Sequence, residues 1–216
     1  MRNCTKLSVM LFALLLISGC SQKFNDLNAT LKEAAFGFDD VEMTKEQVSN
    51  LPYASIQARI NQGPLIFMVL AFAELNPATG HMQLKWVSSD HAMIVTENGR
   101  IVKTINLPSA NLASVTLAQT MANSGSFQAL YDWTPDYSYS QPVIITSKEI
   151  GKEDLSSLIW QQKTTLVQEN LAFSKTNSNY TNQYWQNSDD HTLKSSQWLI
   201  PNKLHIEYEV LKPYHK

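Results

Sequence analysis

Cysteine is almost absent: the 216 residues hold two, Cys4 and Cys20. Cys4 lies in a stretch expected to be removed and Cys20 in one expected to be modified. No thiol is then left for a disulfide, a metal cluster or a covalent catalytic step. Glycine is scarce too, at seven residues, and no glycine-rich phosphate loop, Gly-x-Ser-x-Gly elbow or His-Glu-x-x-His pair occurs. The five histidines, His81, His91, His191, His205 and His215, are scattered without metal-ligand spacing. Positive charge is not in excess, with 17 basic against 19 acidic residues and no basic stripe to suit a nucleic acid. No apolar run approaches the roughly 20 residues of a membrane-spanning helix. These shortages leave an exported fold held together by burial, with no cofactor and no metal expected.

What is present starts with a basic start, Arg2 and Lys6, followed by an apolar run from Leu7 to Ile17, the layout of a secretory signal. The tetrad Ile17-Ser18-Gly19-Cys20 resembles the bacterial lipobox, in which two small residues admit a peptidase and the thiol accepts a diacylglyceryl group. The resemblance implies cleavage before Cys20 and lipidation of that residue with fatty chains such as palmitate. Each buried methylene contributes about 0.8 kcal/mol, so two or three chains hold a protein on a membrane. Ser21, standing where such lipoproteins carry Asp if they are retained in the inner membrane, implies outer-membrane delivery, and the expected location is a lipid-anchored domain facing the periplasm. Residues 1–19 are thus read as a removed signal peptide and 20–216 as a single β-rich domain, of which 20–50 form the anchor and a helical segment. Without Arg2 and Lys6 the basic residues fall from 17 to 15 against 19 acidic, a net charge of −4.

Between Phe24 and Phe38, Phe24, Leu27, Leu31, Ala34 and Ala35 follow helical spacing and predict a helix of about three turns that ends near Gly37. Thr44 with Gln47 makes a capping-box pattern ahead of a short helix that stops before Pro52. From Leu51 onward strands dominate. Residues 53–60 alternate, Leu65 to Phe72 is apolar throughout and predicts a central strand covered on both faces, and Met82, Leu84 and Trp86 alternate again. Asn98-Gly99 predicts a two-residue type I′ hairpin, with Glu97 opposite Arg100 as an ion pair and Val95 opposite Val102. Residues 107–126 read as a connector, and 174–180 as a polar loop. Further strands are expected at 127–133, 137–150 and 158–173, around 197–200 and at the end, where Ile206, Tyr208 and Val210 alternate with charged residues. The fold class is mainly β, an antiparallel β-sandwich or open barrel-like meander with an N-terminal helix.

Leu51-Pro52-Tyr53-Ala54-Ser55-Ile56, Gln62-Gly63-Pro64, Tyr184-Trp185, Ser196-Gln197-Trp198-Leu199 and Leu211-Lys212-Pro213, in that order along one lipoprotein chain, resemble the group 4 capsule polysaccharide lipoproteins of the GfcB/YjbF type. The resemblance runs from about Phe24 to Pro213. It departs between Trp185 and Ser196, where the family carries a glycine turn and this chain has Gln186-Asn187-Ser188-Asp189-Asp190-His191; Asn187 or Asp189 could take the turn conformation. What the resemblance implies is an all-β outer-membrane lipoprotein associated with capsule or exopolysaccharide secretion, and it supplies no catalytic residues.

Asp189-Asp190-His191 imitates part of a catalytic set, but reads better as a polar turn. Asp39-Asp40 and Glu207/Glu209 could be mistaken for the two carboxylates of a glycosidase, and read better as solvated acids. Aromatic residues carry more content. Tyr131, Trp133, Tyr137 and Tyr139, with Asp132 and Asp136 between them, would suit a saccharide surface, since flat rings with polar tips stack on sugars. The competing reading is core packing. The sequence therefore points to a non-enzymatic accessory of polysaccharide secretion with no catalytic residues. Its partners would be the membrane through Cys20, polysaccharide and other envelope export proteins, with no nucleic acid; the alternative is a glycan-binding module using that aromatic patch.

Overall fold

The computed structural model describes residues 40, 42–118 and 125–214. The helix expected between Phe24 and Gly37 and the lipobox-like tetrad with Cys20 lie outside the described residues. Helix α1, Lys45–Asn50, begins at the expected capping box: the Gln47 backbone N–H donates to Thr44 Oγ1 at 3.2 Å and the Thr44 N–H to Gln47 Oε1 at 2.8 Å. It buries Val48 and ends at Leu51, extended ahead of Pro52.

Twelve strands follow: β1 Ser55–Ile60, β2 Leu65–Leu75, β3 Met82–Ser88, β4 Met93–Glu97, β5 Arg100–Ile105, β6 Asn111–Leu117, β7 Gly125–Thr134, β8 Ser138–Ser156, β9 Gln161–Phe173, β10 Ser178–Gln186, β11 Thr192–Ile200 and β12 Leu204–Lys212. All belong to one antiparallel sheet, ordered β5-β4-β3-β2-β1-β12-β11-β10-β9-β8-β7-β6, so two meanders meet where β1 pairs with β12. The sheet curls into a nearly closed barrel. A side chain bridges β5 and β6, where the Leu112 N–H donates to Thr104 Oγ1 at 2.9 Å, and the connection between the two strands is braced by the Leu107 N–H donating to Asn111 Oδ1 at 3.0 Å. Among the described residues every strand belongs to this one sheet, which matches the expected barrel-like meander; the sandwich, the other expected architecture, finds no support.

An eight-stranded barrel is about wide enough for side chains to fill, so twelve strands enclose more space than alternating residues alone close. Large inward residues take up part of it, including Met68, Trp86, Tyr131, Trp133 and Phe173. More of it is taken by the β4–β5 hairpin, whose tip meets buried side chains of β11 and β12. Gly99 O accepts hydrogen bonds from Tyr208 Oη and Gln197 Nε2, both at 2.9 Å, and Gln197 Oε1 accepts from the Ile101 N–H at 3.0 Å. The hairpin has the expected turn, with φ of 47° at Asn98 and 81° at Gly99.

Four expectations need correction. β2 is not covered on both faces: Met68 is buried, whereas Phe72 and Leu75 are 56% and 62% exposed. A uniformly apolar run has no period to reveal its outer face, and the ladder shifts between Leu70 and Phe72. The connector contains strand β6, whose alternation is hidden by a shift between Leu112 and Ser114. Val95 faces Lys103 rather than Val102, because the ladder also shifts between Val95 and Thr96. The polar loop is only a tight turn, and β10 begins at Ser178.

Candidate functional site

Antiparallel strands return the chain to the same end every second turn, so the β4–β5 and β10–β11 turns share one mouth of the barrel. Between them lies a polar pocket of about 420 Å³. At its floor is an ion pair that the sequence reading did not foresee. Arg100 Nη2 donates to both Glu169 oxygens at 2.6 Å, with side-chain exposures of 2% and 6%. The guanidinium also lies 5.8 Å from the centre of the Phe127 ring and 5.6 Å from that of Tyr184. Burial opposes the charge on Arg100, but the Glu169 carboxylate more than offsets it and holds the guanidinium pKa above its ordinary value. Burial pushes the Tyr131 and Tyr184 hydroxyls up, with Arg100 partly opposing.

The expected Glu97–Arg100 ion pair does not form, although the two residues do face each other across the hairpin. Glu97 instead accepts from Asn76 Nδ2 and Gln83 Nε2, both at 2.9 Å, and sits 3.7 Å from His81 Nδ1. Burial raises its pKa, but these donors outweigh burial and leave it below the usual carboxylate value. One signal could have flagged the acid of this pair, though not its partner. Glu169 lies in step with Val167, Leu171 and Phe173, so an acid occupies a core position on β9 and requires a buried cation.

The pocket's walls come from β8, β9 and β10 through Ser147, Val167, Tyr184 and Gln186. Its rim is Asn98 on one turn and Asp189, Asp190 and His191 on the other. Asn187 Oδ1 braces that second turn by accepting from the Asp189 and His191 N–H groups, each at 3.0 Å. Asp190 takes the left-handed conformation, φ 59°, rather than Asn187 or Asp189.

The aromatic patch expected to meet glycan is divided by strand alternation. Tyr131 and Trp133 point into the barrel, 1% and 5% exposed, and both pack edge-on against Phe173. Tyr137 and Tyr139 are exposed at 72% and 56%. A single surface of all four rings therefore does not exist. Asp132 is engaged by Ser114 Oγ at 2.7 Å and the Ser140 N–H at 2.6 Å, and Asp136 pairs with Lys203. Glu207 and Glu209 stand on β12 opposite Arg59 and Gln57 of β1. Asp40 pairs with Arg59 at 3.0 Å. His205 Nε2 lies 2.9 Å from Ser196 Oγ, and its ring stacks on Trp198. Among the described residues, no three His, Cys, Asp or Glu side chains cluster as a metal site would require.

Comparison with known proteins places this geometry in a lineage. The uncharacterized lipoprotein YjbF of Escherichia coli K12 is 29% identical over 216 residues, covering 96% of this chain and 98% of that protein. The uncharacterized lipoprotein GfcB of the same organism is 29% identical over 217 residues with the same coverage. The crystal structure of the hypothetical lipoprotein YmcC, also from Escherichia coli K12, superposes with a TM-score of 0.70 at 26% identity, covering 87% of this chain and 96% of that one. The sequence pattern of one family spans residues 28–211, nearly the whole described barrel. The chain belongs to the group 4 capsule polysaccharide lipoprotein family, GfcB and YjbF.

Proposed function

We propose that the protein is a lipid-anchored lipoprotein of the outer membrane, facing the periplasm, that assists capsule or exopolysaccharide secretion without making or breaking bonds in the polymer. The observation that carries this reading is the family match over residues 28–211, joined to the tetrad Ile17-Ser18-Gly19-Cys20 that resembles a lipobox. The pocket supports the non-enzymatic part. Its most buried acid, Glu169, has both oxygens held by Arg100 in an ion pair. Asp189 and Asp190 sit on an exposed turn at the rim. The other envelope export proteins are the partners in this reading.

A clean deletion in the native host tests it: surface polymer should fall and return when the gene is restored. Undiminished polymer would overturn the role. The anchor has its own test. Cys20→Ala should give an unlipidated product that leaves the membrane fraction, and a variant that still fractionates with membranes would refute anchoring through this residue.

A further inference from the structure

We propose that the mouth pocket between the β4–β5 and β10–β11 turns is a saccharide subsite that takes an uncharged stretch of glycan. Its volume, about 420 Å³, falls within the roughly 300 to 1,000 Å³ of small-molecule sites. The charge balance selects the ligand. Arg100 is matched by Glu169 on the floor, and on the rim two carboxylates, Asp189 and Asp190, stand beside the single imidazole of His191, an excess of acid that disfavours an anionic sugar. Carboxylates accept from hydroxyls, and the carboxamides of Asn98 and Gln186 each offer a donor and an acceptor, a combination that suits neighbouring sugar hydroxyls. Val167 and Tyr184 contribute apolar wall for the C–H face of a ring. The braced Asn187 turn fixes the acids before any ligand arrives, which lowers the ordering cost of binding. This assignment rests on the capsule reading for its ligand class, and it moves glycan contact from the aromatic patch to the barrel mouth.

The test uses the chain purified from its host envelope in mild detergent and saturation-transfer NMR. The probes are neutral hexose and N-acetylhexosamine oligosaccharides of two to four units, their uronic-acid counterparts, and trilysine. Neutral sugars should bind and uronic acids should not. The triple variant Gln186→Ala, Asp189→Asn, Asp190→Asn should weaken binding by about tenfold or more, since hydrogen bonds to charged acceptors are lost. The variant Tyr137→Ala, Tyr139→Ala should bind as the parent does. No sugar binding, preference for uronic acids or trilysine, or binding lost only in the tyrosine variant each overturns the subsite. Because binding is read in vitro and polymer export in the deletion strain, the subsite and the secretion role fail separately.

Discussion

Arg100 and Glu169 are individually costly choices. A buried ion pair must offset the desolvation of both charges, and removing one partner leaves the other uncompensated. With both oxygens of Glu169 on one guanidinium nitrogen at 2.6 Å, and side chains 2% and 6% exposed, Glu169→Gln should lose about 3 to 5 kcal/mol. Replacing both, Arg100→Met with Glu169→Leu, should recover most of that loss. Urea midpoints of the two variants decide it, and equal destabilisation would mean that the pair is not what the single variant disrupts. His205 acts through pH. Burial holds its imidazole below the ordinary value of 6.5, with Glu207 partly opposing. The unfolded chain therefore takes up this proton at higher pH than the folded one. The stability contributed is full above 6.5 and is lost as pH falls through the lowered folded value. His205→Gln should flatten the decline in urea midpoint between 6.5 and the carboxylate range; a decline as steep as the parent's would remove His205 from the account.

Turns decide what the strands can do, and two glycines separate backbone cost from space. Gly80 has φ +72° with nothing within 4 Å of where an added methyl carbon would stand, whereas at Gly99, φ +81°, the same carbon would lie 2.0 Å from Thr192 Oγ1. Gly80→Ala should cost about 1 to 2 kcal/mol for the left-handed conformation alone. Gly99→Ala adds overpacking and should cost about 2 to 5 kcal/mol. Similar losses in thermal unfolding would show that the hairpin tip has room the barrel should deny it. This hairpin also marks how far sequence reaches. Asn98-Gly99, the alternation of β12 and the capping box at Thr44 are local chemistry and are legible in the chain itself. The partner of Arg100 is not, because Glu169 is brought to it by curvature across the barrel. Strand β6 and the pairing of Val95 are obscured by ladder shifts, which reverse the side-chain parity that periodicity depends on. In the aromatic patch, parity is readable and would have assigned Tyr131 and Trp133 to the side of Phe127 and Ala129.

Across the whole molecule, closing the sheet is what keeps its two edge strands from recruiting other chains. The remaining seam between β5 and β6 is held by side chains. Thr104 Oγ1 accepts from the Leu112 N–H, and Asn111 exchanges hydrogen bonds with both backbone groups of Leu107, donating to its carbonyl at 3.3 Å. Thr104 and Leu112 are almost fully buried, so water cannot substitute there. Thr104→Val keeps the shape but strands a buried N–H, a loss of about 1 to 3 kcal/mol. Adding Asn111→Ala releases the Leu107 end of the seam. Hydrogen exchange should then accelerate first at Leu107 and Leu112, while amides in the β1–β12 ladder retain protection until the whole barrel opens. Exchange rising equally in both places would mean that the seam does not open separately. Unchanged exchange at Leu112 would mean that this side-chain bridge does not close the barrel.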